Sequence, residues 1–202
     1  MSGSGRDPWG KVAQRYEEAY GPKTASPCWR RAQALAETTS GRVLDLACGA
    51  GFELSLFRDG VGIDSSPGML AAARQRAPDA ALVLGDMRQL PFQPHSFSAA
   101  YSCFALIHLT KRELSDLLGD LQRVLLPGAT VKSMFFAGTG EKDTGFSDLE
   151  PSLTAHYSYY QEDELVALFE DAGFSLFVED DILHEPQMSI SCLCVSAFKP
   201  AD

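Results

Sequence analysis

Short apolar runs alternate with longer amphipathic stretches from about residue 42 to the end of the chain. Apolar runs of this length, bounded by glycine, proline or polar residues, are typical of buried strands. Stretches with apolar residues three and four positions apart are typical of helices packed on a core. The runs that predict strands cover residues 43–47, 61–64, 81–84, 99–102, 130–136, 176–178 and 190–198.

Helical patterns fill most of the intervals between these runs. Two helices are predicted in the first forty residues, a short one over 54–57, and one that opens at Pro67, a favoured first-turn residue. Thr110 and Glu113 form a capping-box pattern ahead of a leucine-rich helix that Pro127 ends. A last helix is predicted over about 161–172, and residues 138–160 are expected to form a long loop, which is unusual unless it is functional.

Strands that alternate with helices predict an α/β fold with a doubly wound, seven-stranded, mostly parallel sheet. No helix separates the last two strands, so we expect them to pair antiparallel, with the last strand antiparallel in the sheet. Residues 1–40 are expected to form a helical cap and residues 41–202 a single globular unit. Ligands of such sheets bind beyond the carboxyl ends of the strands.

Composition narrows the function. The chain has 202 residues and a net charge of −10, which disfavours nucleic acid as a partner. It has no apolar stretch long enough for a membrane span and no apolar leader, so we expect a cytoplasmic protein. We also expect it to act as a monomer or weak homodimer. The five cysteines are expected to be reduced thiols, and the four scattered histidines indicate no metal site.

The most informative segment is VLDLACGAGFE, residues 43–53, a strand that runs into a glycine-rich turn. Gly49 and Gly51 allow a tight turn and close approach of a ligand. A dinucleotide fingerprint needs a third small residue, but Leu54 stands there. Asp45, at the end of the strand, would repel a pyrophosphate and attract a cationic ammonium or sulfonium group.

Several segments in order, VLDLACGAG, VGIDSSPGML, LGDMRQLPF, YSCFALIHL and LQRVLLPGA, resemble the motifs of the compact, small-molecule class I S-adenosylmethionine-dependent methyltransferases. The resemblance covers about residues 43–199 and implies a Rossmann-like methyltransferase fold with S-adenosylmethionine as cofactor. It implies that Asp45 lies near the methionine amine, Asp64 on the ribose hydroxyls and Asp86 on the adenine amine. The cofactor-binding residues that it implies are Tyr16, Tyr20, Asp45, Ala47, Gly49, Gly51, Asp64, Ser65, Met69, Asp86, Met87, Ser102 and Cys103. The short interval from Gly51 to Asp64 predicts a first crossover helix trimmed by about a turn.

The sequence carries less information about the residues that bind the methyl acceptor. His108 follows the fourth strand and is a candidate general base, the alternative being a structural histidine. In the loop before residue 160, His156 is a second candidate base, and Tyr157 and Tyr160 are candidate substrate-binding residues. The alternative is that these aromatic residues only pack the loop onto the sheet.

The resemblance implies methyl transfer to an oxygen or nitrogen of a small-molecule acceptor. A protein that binds S-adenosylmethionine without catalysis is the alternative. A nicotinamide-dependent reductase is disfavoured by Leu54 and Asp45.

Overall fold

The structure is a computed structural model that describes residues 7–20, 26–146, 150–185 and 188–201. Within these ranges a mixed sheet is flanked by helices. The helices are α1 (Pro8–Tyr20), α2 (Pro27–Thr38), α3 (Pro67–Arg76), α4 (Lys111–Val124) and α5 (Glu162–Asp171). The strands are β1 (Val43–Leu46), β2 (Gly60–Asp64), β3 (Ala81–Leu84), β4 (Phe97–Cys103), β5 (Leu125–Ala137), β6 (Glu141–Phe146), β7 (Glu150–Tyr160), β8 (Ser175–Glu185) and β9 (Met188–Phe198).

Five parallel strands form the centre of the sheet in the order β3-β2-β1-β4-β5. β9 pairs antiparallel with β5, and β8 pairs antiparallel with β9 at the outer edge. The predicted α/β fold, with a mostly parallel sheet and an antiparallel last strand, is therefore confirmed. This order places the carboxyl ends of β1, β2, β3 and β4 along one edge of the sheet, where ligands of such folds bind.

The predicted loop over residues 138–160 was wrong, because β6 and β7 form an antiparallel hairpin there. Tyr159 and Tyr160 also pair in parallel with the end of β5, so the sheet has nine strands among the described residues, where seven were predicted. Gly138 and Gly140 have positive φ angles, of 148° and 84°, and they make the turn between β5 and β6. The two glycines favoured the interpretation as a loop. The β-branched and aromatic residues of 154–160 are typical of a strand and were the evidence against it.

The first crossover is a single 3₁₀ turn, Leu54–Leu56, where the sequence predicted a short helix. Leu54 is fully buried and its side chain packs over Gly60 and Gly62 of β2, where an added Cβ would come within 3.0 Å of it. The first crossover helix is thus shortened by more than the one turn that the sequence predicted. A 3₁₀ turn this short aligns too few peptide groups to give the ligand edge an appreciable helix dipole.

The long helix α4 follows the sequence closely. Thr110 and Glu113 form the predicted capping box, each side chain accepting from the other residue's backbone N–H. The apolar stripe from Leu114 to Val124 is completely buried against the sheet. β5 begins directly after this helix at Leu125, earlier than predicted, because the chain runs extended through Pro127 before the regular pairing.

The two N-terminal helices are held to the ligand edge. The Asp7 carboxylate accepts from the backbone N–H of Gly10 at 2.8 Å and of Gly68 at 3.0 Å, which joins the start of α1 to the start of α3. Near the start of α2, Cys28 forms a disulfide with Cys103 at the end of β4. The expectation that all five cysteines are reduced was therefore wrong, since sequence spacing does not reveal a pairing across 75 residues. In the described ranges, no helix is long and apolar enough to cross a membrane.

Candidate functional site

A cleft opens along the carboxyl ends of β1, β2, β3 and β4. Chain segments far apart in sequence form its wall, because these strands are neighbours in the sheet. Nine of the residues predicted from the sequence meet in this cleft: Ala47, Gly49, Asp64, Ser65, Met69, Asp86, Met87, Cys103 and His108.

Asp64, the last residue of β2, is 8% exposed and holds the glycine-rich turn. Its Oδ2 accepts from the backbone N–H of Gly49 at 2.9 Å and its Oδ1 from that of Ser66 at 2.8 Å. Burial raises the pKa of Asp64, and these two hydrogen bonds oppose the rise. A carboxylate can accept about four hydrogen bonds, so Asp64 retains capacity for a ligand at the cleft.

The two glycines of the turn have different roles. Gly49 has a φ of 52° and lines the cleft, and an added Cβ would meet no atom within 4 Å. Gly51 has a φ of 76°, and an added Cβ would lie 3.1 Å from the Cα of Ala73 in α3. Gly51 does not line the cleft, so its absence of a side chain serves the packing of α3 and not the approach of a ligand.

Three acidic residues surround the turn. Asp45 is 4% exposed within β1, and burial, followed by the nearby charges of Glu53 and Asp64, raises its pKa well above the usual range. Burial also raises the pKa of Glu53, a residue that the sequence analysis missed. Like charges that are withdrawn from water favour protonation or a cationic ligand. The surroundings of this turn therefore suit an ammonium or sulfonium group.

Asp86 lies on the far side of the cleft, after β3. Its carboxylate accepts from the Arg88 side chain, with Nε at 3.0 Å and Nη2 at 2.6 Å from its oxygens, and from the Arg88 backbone N–H at 2.9 Å. These hydrogen bonds lower the pKa of Asp86. Arg88 also reaches Glu113 of α4 at 3.0 Å. A ligand amine would therefore compete with Arg88 for Asp86, which the sequence did not indicate.

His108 ends the 3₁₀ turn Leu106–His108 after β4 and lines the cleft. Its Nδ1 lies 2.8 Å from the backbone carbonyl oxygen of His156. Because a carbonyl oxygen only accepts, Nδ1 carries the hydrogen and donates, which leaves a lone pair on Nε2. Burial lowers the pKa of His108, which favours the neutral form of its ring. A neutral imidazole with a free lone pair in a cleft is suited to accept a proton.

The comparisons with known proteins agree with this geometry. Residues 43–128 match the methyltransferase domain family, and this segment includes the whole turn, Asp64, Asp86 and His108. Over this segment, which is less than half of the chain, the protein is a methyltransferase domain of the class I S-adenosylmethionine-dependent type. S-adenosylmethionine is the cofactor of that class.

Two curated methyltransferases share the central segment. The demethylmenaquinone methyltransferase of Beutenbergia cavernae is 41% identical over 106 residues, which cover 50% of this chain and 43% of that protein. The dTDP-3-amino-3,4,6-trideoxy-alpha-D-glucopyranose N,N-dimethyltransferase of Streptomyces venezuelae is 38% identical over 95 residues, covering 44% and 40% of the two chains. The matches thus span less than half the length of these methyltransferases.

A solved structure, a DhpI–SAH complex, resembles the chain over nearly its whole length. The TM-score is 0.73, and the match covers 96% of this chain and 93% of the other at 19% identity. At this identity the likeness concerns the fold alone.

Six further residues predicted from the sequence do not line the cleft themselves. Asp45 and Ser102 are buried within β1 and β4, and Gly51 packs on α3. Tyr160 is fully buried with its ring against Phe135, which argues against a contact with substrate. The other two are His156 and Tyr157 on β7. The side chains of Tyr16 and Tyr20 lie outside the described part of the structure.

His156 contributes its backbone and not its ring to the cleft. Its Nδ1 lies 2.9 Å from an oxygen of Asp143, and its Nε2 lies 3.2 Å from the hydroxyl of Ser158. The role of second candidate base thus has no support from the geometry, because both ring nitrogens face residues of the β6–β7 hairpin. The carbonyl of the same residue fixes the tautomer of His108.

The sequence analysis missed two aromatic residues of the cleft. Trp9 of α1 packs on the ring of His108, with the centroids 5.5 Å apart. Phe104 follows β4 directly, lines the cleft and has a φ of 51°. A large non-glycine residue in the left-handed region is uncommon and is often associated with function. No sequence pattern reports that strain.

Proposed function

We propose that this chain transfers the methyl group of S-adenosylmethionine to an oxygen or nitrogen of a small-molecule acceptor. The observation that carries the proposal is the convergence of nine predicted residues, from the ends of four neighbouring strands, in one cleft. Both curated relatives described above are methyltransferases, one acting on a quinone precursor and one on an amino sugar by their names. They favour a small-molecule acceptor over nucleic acid.

Asp64 is proposed to accept hydrogen bonds from the ribose hydroxyls. Its two oxygens each bind one backbone N–H, which fixes the carboxylate and leaves one acceptor position on each oxygen. The methionine end would lie toward Glu53 and the end of β4. Burial raises the pKa of Asp45 and of Glu53, and at Asp45 an accumulation of negative charge from Glu53 and Asp64 adds to the rise. The ammonium and sulfonium charges of the cofactor would offset that accumulation.

The adenine is proposed to lie beside Met69 and Met87, two apolar residues that line the cleft. The Met87 backbone amide is a candidate donor to a ring nitrogen. Asp86 is a candidate acceptor for the adenine amine, and that contact requires the guanidinium of Arg88 to give up part of its interaction with the carboxylate.

His108 is proposed to act as the general base. The bound sulfonium methyl is intrinsically electrophilic, so the protein has to align an acceptor and remove its proton. The lone pair on Nε2 can take that proton, while the carbonyl of His156 holds the ring in the required tautomer. This arrangement favours an enzyme over a protein that binds the cofactor without catalysis.

The experiment that tests the cofactor site is calorimetric titration with S-adenosylhomocysteine. Asp64→Asn is expected to weaken binding about 10- to 100-fold, since a hydrogen bond to a charged group contributes about 1.5–3 kcal/mol. Asp116→Asn on the exposed face of α4 is the matched control and should bind as the unmodified chain does. Unchanged affinity in Asp64→Asn, with the fold intact by circular dichroism, would contradict the assignment.

The site of action is proposed to be the cytoplasm. Cys48, Cys192 and Cys194 are free thiols, which suits a reducing compartment, whereas the Cys28–Cys103 disulfide does not. A fluorescent fusion in the source cell, imaged with a cytoplasmic marker, tests this point. Sedimentation of the purified chain tests the expected monomer or weak homodimer.

A further inference from the structure

A series of aromatic contacts runs along one wall of the cleft. The ring of Trp9 contacts His108, with centroids 5.5 Å apart, and His108 contacts Tyr157 at 4.9 Å. Tyr157 stacks on Phe136 at 6.4 Å with an angle of 17°, and Phe136 contacts Phe104 at 5.1 Å. We call these five rings the aromatic wall. All five are only partly buried, and Trp9, Phe104 and His108 line the cleft itself.

The backbone at Phe104 supports a role for this wall in binding. A φ of 51° is unfavourable for a bulky side chain, and it occurs directly after β4, at the residue that follows Cys103. This conformation turns the chain so that Phe104 lines the cleft while its ring still contacts Phe136. A strained residue is retained where the surrounding structure holds it for a purpose.

The charged groups lie elsewhere in the cleft. Asp64, Asp86 and Arg88 come from the ends of β2 and β3, whereas the aromatic wall comes from α1, the segment after β4, and the hairpin strand β7 with β5. Ring faces and edges bind planar aromatic groups with centroids about 4.5–7 Å apart. Phe104 and Phe136 offer no hydrogen bonds to the several hydroxyls of a sugar acceptor, whereas their ring faces suit a flat aromatic group.

We infer that the acceptor is a planar aromatic compound with a ring hydroxyl, and this inference rests on the proposed function. Nε2 of His108 takes the hydroxyl proton, and the oxygen electron pair forms a bond to the methyl carbon. The carbon–sulfur bond breaks with its electron pair going to sulfur, which leaves S-adenosylhomocysteine. His108 then returns the proton to solvent. No oxidant or further reactant is needed.

The test uses 2-naphthol and decahydro-2-naphthol, which share a skeleton and a hydroxyl and differ in aromaticity. Methyl ether formation from S-adenosylmethionine is measured by mass spectrometry, and 2-naphthol binding to the S-adenosylhomocysteine complex is measured by its fluorescence. We expect binding, and turnover at least 100-fold faster with 2-naphthol than with the saturated alcohol. A product methylated on carbon, equal rates for the two alcohols, or no binding of 2-naphthol would overturn the inference.

Two variants connect the result to the wall. Phe104→Leu keeps an apolar, non-glycine side chain at the strained backbone position but removes the ring, and we expect KM for 2-naphthol to rise at least 10-fold. Phe104→Tyr keeps the ring and should restore KM to within about 3-fold. Equal KM values for the two variants would contradict the role of the ring.

A measurement of S-adenosylhomocysteine binding shows whether a negative result contradicts only the aromatic acceptor or the proposed function as well. If S-adenosylhomocysteine binds and an aliphatic amine is methylated while 2-naphthol is ignored, the proposed function stands and the aromatic acceptor is wrong. If S-adenosylhomocysteine does not bind the unmodified chain, the proposed function itself fails, and the inference fails with it.

Discussion

The Nδ1–H of His108 donates to the backbone carbonyl oxygen of His156 over 2.8 Å. This hydrogen bond joins the turn after β4 to the β6–β7 hairpin, which packs beside it. The tautomer of the proposed base is therefore set by the fold and not by the substrate. It also gives the hairpin a function in the site that a mobile loop could not perform as precisely.

The first prediction concerns the pH dependence of turnover. Burial lowers the pKa of His108 below its ordinary value of 6.5, so the neutral, basic form persists to lower pH than for an exposed histidine. We expect kcat/KM to be flat around pH 7 and to fall below pH 6.5, as pH passes down through the lowered pKa. Rates of S-adenosylhomocysteine formation across pH 5–9 measure this.

His108→Asn is the matched variant, because its amide can still donate to the His156 carbonyl but has no titrating base. We expect a loss of about 10²- to 10⁴-fold in kcat and disappearance of the acidic limb. An acidic limb that persists in this variant would assign the titration to another group.

The second prediction separates packing from backbone strain at Gly51. Its φ is 76° and an added Cβ would lie 3.0 Å from the Cβ of Ala73. Gly140 has a similar φ of 84°, with no atom within 4 Å of an added Cβ. We expect Gly51→Ala to lower the free energy of unfolding by about 1–3 kcal/mol more than Gly140→Ala does, because overpacking adds to the strain. Urea denaturation of both variants measures the difference.

The double variant Gly51→Ala/Ala73→Gly provides the control, since it removes the methyl group that the new side chain meets. The double variant should then be less stable than the single variant Ala73→Gly only by the cost of backbone strain at position 51. If Gly51→Ala is no worse than Gly140→Ala, the close contact with α3 is not a constraint.

Much of the fold follows from local patterns that the sequence displays. The capping box at Thr110, the glycines after β1 and the acidic residue at the end of β2 depend on residues near each other in the chain. These features were predicted and the fold was confirmed. The β6–β7 hairpin was missed because Gly138 and Gly140 are as common in loops as in the tight turn that begins a hairpin.

The parts of the site that could not be predicted are long-range. Arg88 competes for Asp86, the His156 carbonyl orients His108, and Trp9 reaches the cleft from the first helix. None of these contacts leaves a pattern in sequence, because the partners meet only after β3, β4 and the hairpin are in place. The strain at Phe104 is invisible for the same reason, since φ is a property of the folded chain.

The third prediction concerns Cys28 and Cys103, which join α2 to the end of β4 across 75 residues. A cross-link over a loop of this length typically contributes about 2–4 kcal/mol by restricting the unfolded chain. We expect Cys28→Ser to lower Tm by about 5–15 °C under non-reducing conditions. A reductant should lower the Tm of the unmodified chain and leave that of the variant unchanged.

Thiol counting gives an independent check on the same bond. The denatured, unreduced protein should expose three free thiols, those of Cys48, Cys192 and Cys194, and five after reduction. Five thiols before reduction would show that Cys28 and Cys103 are neighbours without a bond.

The last prediction tests the charge around the glycine-rich turn. Burial, together with Glu53 and Asp64, raises the pKa of Asp45 above its ordinary value of 3.8. The folded chain therefore holds this proton more tightly than the unfolded chain, and stability is lost as pH rises from about 4 through the raised pKa. Asp45→Asn imitates the protonated form and removes that loss. We expect its Tm to exceed that of the unmodified chain more at pH 8 than at pH 5, and a difference of about 1 kcal/mol corresponds to about 2–4 °C.

S-adenosylmethionine extends this test to function. If its positive charges offset the cluster formed by Asp45, Glu53 and Asp64, saturating cofactor should stabilise the unmodified chain more than Asp45→Asn at pH 8. Neutral S-adenosylhomocysteine lacks the sulfonium and should show a smaller difference. Asp116→Asn, exposed on α4, controls for the loss of one negative charge. An Asp45→Asn variant that is less stable at pH 8 than the unmodified chain would mean that the carboxylate is already compensated, and the attraction of a cationic cofactor would then need another source.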